Sequence, residues 1–168
     1  MKTTLKLIAI LQFIVFILLL ITCTSNKNHS KMTERTTTTL FPKGEKITNG
    51  YFTGNAYLKP LLVRDKNNDF VMGNVTFEAG ARTHWHTHPK GQVLIITEGE
   101  GFYQEKGKAA RALKKGDVIS IPENVEHWHG ASINKEMVHI AITNFKGDQN
   151  VVWLQAVSDA EYNEPNKK

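Results

Sequence analysis

Cysteine is almost missing from this sequence. Cys23 stands alone among 168 residues, which excludes any disulfide within the chain. A core must then be held by burial, and 40% hydrophobic residues at this length suffice for one domain without covalent staples. A large excess of one charge is also lacking. The formal net charge is only +5, the lysines are scattered, and loss of Lys2 and Lys6 with a leader lowers it by two. That balance suits a solvated surface and argues against a nucleic-acid partner. Long apolar runs are missing beyond the first residues. The one run, Leu7 to Ile21, is broken only by Gln12 and is shorter than the about 20 residues of a membrane span. With Lys2 and Lys6 ahead of it, it reads as a signal peptide over 1–22, an uncleaved anchor helix being the alternative.

Residues 23–46 are polar, contain the run Thr36 to Thr39 and lack apolar periodicity, so they read as a flexible tether in which His29 is solvated. Residues 47–162 read as the folded domain and 163–168 as a polar tail. No long helical pattern occurs in the domain. Short strands are expected over Phe70 to Glu78, Val93 to Thr97, Ala109 to Lys114, Val118 to Ile121, His127 to Ala131, Val138 to Asn144 and Val151 to Ala156. Gly-containing turns punctuate them, one expected at Glu98 to Gly101. This spacing predicts an all-β, antiparallel sandwich or barrel. Ser158-x-x-Glu161 is a capping box for a short terminal helix.

Six of the seven histidines fall in the domain. His84, His86 and His88 alternate, so an extended backbone aims all three imidazoles to one face and Trp85 to the other. One ion cannot easily use all three. The outer pair has Cα atoms about 13 Å apart on a strand, at the limit for two rings reaching one ion at about 2 Å. The pair is therefore 84/86 or 86/88, and periodicity does not choose. His127 and His129 form a second alternating pair. His139, on an apolar strand, shares a face with the small residues Ala141 and Thr143, which leave room for a pocket.

The spacing Gly80-x5-His86-x-His88-x3-Gln92-x6-Gly99 resembles the first cupin motif, with Gln92 where glutamate is usual. Gly116-x5-Pro122-x-Asn124-x2-His127 resembles the second, with Asn124 in place of a glycine and Ala131 in place of an asparagine. The resemblance implies a jelly-roll barrel, selects 86/88 over 84/86, and makes His86, His88, Gln92 and His127 the metal ligands. The stretches ARTHWHTHPKGQ, HWHGA and MVHIAI are similar to the small single-domain cupins that include manganese-dependent hydroxynitrile lyases, and to cupin parts of carboxymuconolactone decarboxylase-like fusions. The resemblance spans Tyr51 to Tyr162. In that branch glutamine commonly fills the fourth ligand position. A homo-oligomer is the family's habit.

Ahead of the domain, Leu20-Ile21-Thr22-Cys23 resembles a bacterial lipobox, with Thr22 where a smaller residue is usual. It implies lipid on Cys23, membrane attachment through that lipid, and an exported lipoprotein in the periplasm.

Three neutral imidazoles and a neutral amide leave a divalent ion its full charge, which suits polarising an alcohol or carbonyl more than activating dioxygen. Manganese is the first expectation by resemblance. Iron, nickel, cobalt and zinc also accept histidine with oxygen donors. The expected function is therefore a metal-dependent lyase acting on a small hydroxy or carbonyl compound, with His129 and His139 as general base and acid. A quercetinase-like dioxygenase and a lipid-tethered binding protein without catalysis are the alternatives.

Overall fold

The computed structural model describes residues 39–167. The leader, Cys23 and the first part of the tether lie outside the described residues. The strands are β1 (Glu45–Lys46), β2 (Phe52–Thr53), β3 (Ala56–Leu62), β4 (Phe70–Phe77), β5 (Arg82–Thr83) and β6 (His86–Thr87). They continue with β7 (Gln92–Glu105), β8 (Arg111–Lys114), β9 (Val118–Ile121), β10 (His127–Ala131), β11 (Met137–Asn144) and β12 (Val152–Trp153). A short helix α1 (Asp159–Asn163) follows, then a 3-10 turn at Pro165–Lys167. The pairings are antiparallel and build one curled sheet in the order β1-β3-β4-β11-β7-β10-β5-β2, with β6, β8, β9 and β12 paired off that path. Among the described residues no helix is long and apolar enough to cross a membrane.

Strand β7 organises the sheet because it changes partners along its length. Gln92 to Ile95 lie between β9 and β11, while Gly101 to Tyr103 lie between β8 and β10. The turn expected at Glu98 to Gly101 does not form. Gly99 instead takes φ 74° where β11 crosses, and a Cβ there would collide with the Glu136 carbonyl. A Cβ on Gly101 would collide with the Gly130 carbonyl. These glycines permit close backbone approach at a handover between strands, which local turn chemistry cannot distinguish from a turn.

The strand expected over His84 to His88 is also broken. A bend at Trp85 separates β5 from β6 and leads Trp85 into a cluster with Trp128, Val157 and Tyr162. Both tryptophans of the His-Trp-His triplets therefore face away from the histidines, as alternation requires. Arg82 clasps the helix over this cluster. Its guanidinium sits 4.4 Å from the Tyr162 ring and donates to the Val157 carbonyl and, at 2.6 Å, to Asp159. The capping box at Ser158 and Glu161 is present. On the inner face Phe77, Leu94, Ile96, Ile119 and Met137 form the main core, each buried side chain of this kind contributing about 1.5–3 kcal/mol.

The sheet begins earlier than 47. Glu45 and Lys46 pair with Leu58 and Tyr57, and Lys43 reaches Glu78 at 2.9 Å. Glu78 also accepts from Asn55 and Tyr57, and these bonds, the Lys43 ammonium first, pull its carboxyl down to about 2. The end of the stretch read as tether thus belongs to the domain.

Candidate metal centre

Strand pairing assembles the site. His86 on β6 is the register partner of His127 on β10, and the two ring centroids stand 4.2 Å apart. His88 follows in the loop after β6, its ring 5.0 Å from that of His86 and 5.5 Å from that of His127. Gln92 opens β7 beside them. The left-handed residue that lets the chain turn into β10 is Asn124, at φ 60°. Asparagine tolerates this conformation better than most residues, which explains its success where the motif has glycine.

Each of the three motif histidines is oriented the same way. Nδ1 of His86 bonds the His84 carbonyl at 2.9 Å, Nδ1 of His88 the Asn150 carbonyl at 2.6 Å, and Nδ1 of His127 the Val125 carbonyl at 2.8 Å. A carbonyl only accepts, so each Nδ1 carries the proton and each Nε2 keeps a bare lone pair. Ligating histidines are held by this kind of bond. Nε2 of His88, Nε2 of His127 and Oε1 of Gln92 are buried without a partner, while Gln92 Nε2 donates to Thr143 at 3.1 Å. Orphaned lone pairs of this number are costly unless a cation or donor meets them. The donor set fits a divalent ion.

Mutual distance groups the residues slightly differently. His86, His127 and His129 offer ring nitrogens all within 4.8 Å of one another, a group that can hold a metal ion. The two criteria part at His88 and His129. Orientation is the stronger guide, because His129 Nδ1 has no partner to set its tautomer whereas His88 is locked by a short bond. His129 lies beside the centre, 5.3 Å from the His86 ring, and His139 lies behind it at 5.0 Å. Both ring nitrogens of His139 are unpartnered.

Burial dominates the electrostatics. It pushes His86 and His129 well below the usual imidazole range, lowers His88, and brings His127 and His139 down to about 4. The neighbouring imidazoles push His86 and His129 the same way. All five are therefore neutral at pH 7, the state in which a nitrogen can ligate or accept a proton.

His86, His88, His129 and His139 line a cavity of about 380 Å³, which His127 itself does not reach. Its other walls are mostly apolar, Leu58, Leu62, Val71, Met72 and Trp153 among them, with Thr83, Gln92, Thr143 and Asn150 as the polar exceptions. Among the described residues no Lys, Arg, Asp or Glu lines it.

A family model described as a cupin domain matches residues 73–143. The (R)-mandelonitrile lyase of Granulicella tundricola is 40% identical over 112 residues, 67% of this chain and 86% of that protein. The chain belongs to the cupin family. A crystal structure of a cupin-like protein from Thermotoga maritima is 49% identical, with a TM-score of 0.72 over 76% of this chain and 97% of that one. An acireductone dioxygenase of Bacillus cytotoxicus is 36% identical over 61 residues, 34% of this chain and 36% of that enzyme.

In this cupin the bend at Trp85 takes His84 away from the cavity, where its ring meets Tyr51 at 6.2 Å. His86, His88, Gln92, His127, His129 and His139 come together. Sequence reasoning missed three participants. Thr143 was legible only as a small residue on the His139 face, since its register with Gln92 depends on sheet order. The Asn150 carbonyl, as a backbone group in a loop, leaves no signal. Trp153 stands 4.9 Å from the His86 ring because β12 pairs with β6.

Proposed function

We propose that this cupin is a metal-dependent lyase that cleaves a small, uncharged hydroxy compound of the cyanohydrin type into a carbonyl compound and cyanide. The observation that carries this reading is the lone pairs of His86, His88, Gln92 and His127 brought together, the first three of these residues lining a mostly apolar cavity without charged side chains, with an unassigned imidazole, His129, alongside. The likeness to a mandelonitrile lyase over most of that enzyme's length supports it. Those four residues hold one divalent ion, manganese before iron, nickel, cobalt or zinc. A bound ion of this kind supplies Lewis acidity, undiminished because all four donors are neutral.

The chain's own groups do the rest. The apolar walls bind the substrate's carbon skeleton and reject ions, which find no counter-charge there. His129, kept neutral by burial, accepts the hydroxyl proton. The freed electron pair forms the second carbon–oxygen bond, the carbon–carbon bond breaks, and cyanide leaves with its electrons. His139, 5.0 Å behind, supports proton return to the cyanide before release.

The same reading takes the curled sheet as a jelly-roll barrel behind a cleaved leader. It places the protein in the periplasm on a lipid at Cys23, as a homo-oligomer. The motif spacings and the Leu20-Ile21-Thr22-Cys23 sequence support these points.

The test is benzaldehyde release from mandelonitrile by metal-stripped and manganese-reloaded protein, followed by absorbance. Reloaded protein is expected to turn over and stripped protein to be inert. Equal rates, or none in either, would remove the reading.

A further inference from the structure

Gln92 and Thr143 are direct register partners on β7 and β11, so their side chains share the cavity face. Gln92 Nε2 donates to Thr143 Oγ1 at 3.1 Å in a wholly buried bond, and Gln92 Oε1 at the other end of the amide has no partner. This asymmetry matters because the two ends of an amide differ little in shape and are opposite in chemistry. The terminal torsion is broad and roughly two-fold. Sterics alone therefore leave both orientations open. With the oxygen toward Nε2 of His88 and His127, the site presents only lone pairs. With the nitrogen there, its two N–H donors face the place of a cation and repel it, or satisfy the His88 lone pair instead.

We propose that Thr143 is the positioning residue of the metal centre, holding the Gln92 amide so that its oxygen, not its nitrogen, faces the ion. This rests on the ligand set proposed above. A hydroxyl has two acceptor lone pairs, and one of them takes the Gln92 proton. Remove it, and Nε2 of His88, an unpartnered acceptor close enough to interact with Gln92, is left to take that proton. The amide then turns from ligand into competitor. A glutamate at 92 needs no such help, since either of its oxygens can ligate. Thr143 is what makes a neutral amide dependable in a position usually filled by a carboxylate.

The test is Mn²⁺ titration of the full-length protein, read through fluorescence of Trp153, which stands 4.9 Å from the His86 ring. Thr143→Val keeps the shape and removes the acceptor, and is expected to weaken Mn²⁺ binding by roughly 10–100-fold, the usual cost of losing an outer-shell partner. Thr143→Ser should bind close to wild type. In a Gln92→Glu background the Thr143→Val loss should shrink to a small fraction of that, a coupling that a merely structural role does not produce. Should Thr143→Val not fold, as judged by its melting curve, Thr143→Ala removes the same acceptor and is read the same way. Wild-type affinity in Thr143→Val beside weakened binding in Gln92→Ala overturns the positioning role and leaves the ligand set standing. Wild-type affinity in Gln92→Ala removes the ligand assignment and this inference with it.

Discussion

The rings of His129 and His139 lie 5.0 Å apart at 87°, reaching toward each other from β10 and β11 with β7 between those strands. Only His129 also approaches the metal centre, at 5.3 Å from the His86 ring, while His139 stacks on Phe77 at 5.6 Å. Their roles should differ accordingly. His129→Ala is expected to keep its metal and lose turnover by a factor on the order of 10²–10⁴, the usual contribution of a proton-transfer group. His139→Leu, acting one residue removed, should cost less and change the pH profile of kcat more than KM. Steady-state kinetics with elemental analysis of each variant checks both.

The three carbonyl-oriented histidines should behave as a set. His86→Ala, His88→Ala and His127→Ala are each expected to lose most of the bound metal after dialysis. His84→Ala should retain it, since the bend at Trp85 turns that ring toward Tyr51. Metal loss in His84→Ala, or full occupancy in His88→Ala, would show that the ligands are assigned wrongly.

Buried neutral histidines make stability depend on pH in a defined direction. His127 and His139 fall from 6.5 to about 4 in the fold, so between those values the unfolded chain binds more protons than the native one. Stability is complete above pH 6.5 and declines as the pH falls toward 4, with a slope approaching about 1.4 kcal/mol per pH unit for each histidine titrating. Denaturant midpoints between pH 7.5 and 4.5 should show this decline. His139→Leu should flatten it. A midpoint that is level over the range would mean these rings are protonated in the native protein.

Membrane attachment is expected to depend on one atom, the sulfur of Cys23. Cys23→Ser should leave the protein in the soluble fraction of cells that otherwise hold it in the membrane fraction. A variant that stays with the membrane identifies Leu7 to Ile21 as an uncleaved anchor.

How far the sequence could be read follows from how local each feature is. Alternation in His-Trp-His predicted that Trp85 and Trp128 turn away from the imidazoles, and motif spacing predicted the company of His86, His88, Gln92 and His127. The first depends on near neighbours in the chain, and so does the spacing within each motif, while the pairing of β6 with β10 that joins the motifs was legible only through the resemblance. The exceptions depend on distant ones. Gly99 and Gly101 look like turn residues until β11 and β10 are seen crossing them. Thr143 looks like a small wall residue until its register with Gln92 is known. The start of the sheet at Glu45 was hidden because strand pairing with Leu58 supplies what apolar periodicity does not.

The central claim is that the centre polarises its substrate without consuming oxygen, and the neutral Gln92 is the reason. Without a carboxylate, a higher oxidation state of the ion is less well stabilised. The most direct measurement is mandelonitrile cleavage by the manganese-loaded protein under argon and under air, with an oxygen electrode in the same cell. Equal rates in both gases with no oxygen uptake are expected; turnover that stops under argon and tracks oxygen uptake would contradict the lyase account and make the protein a dioxygenase.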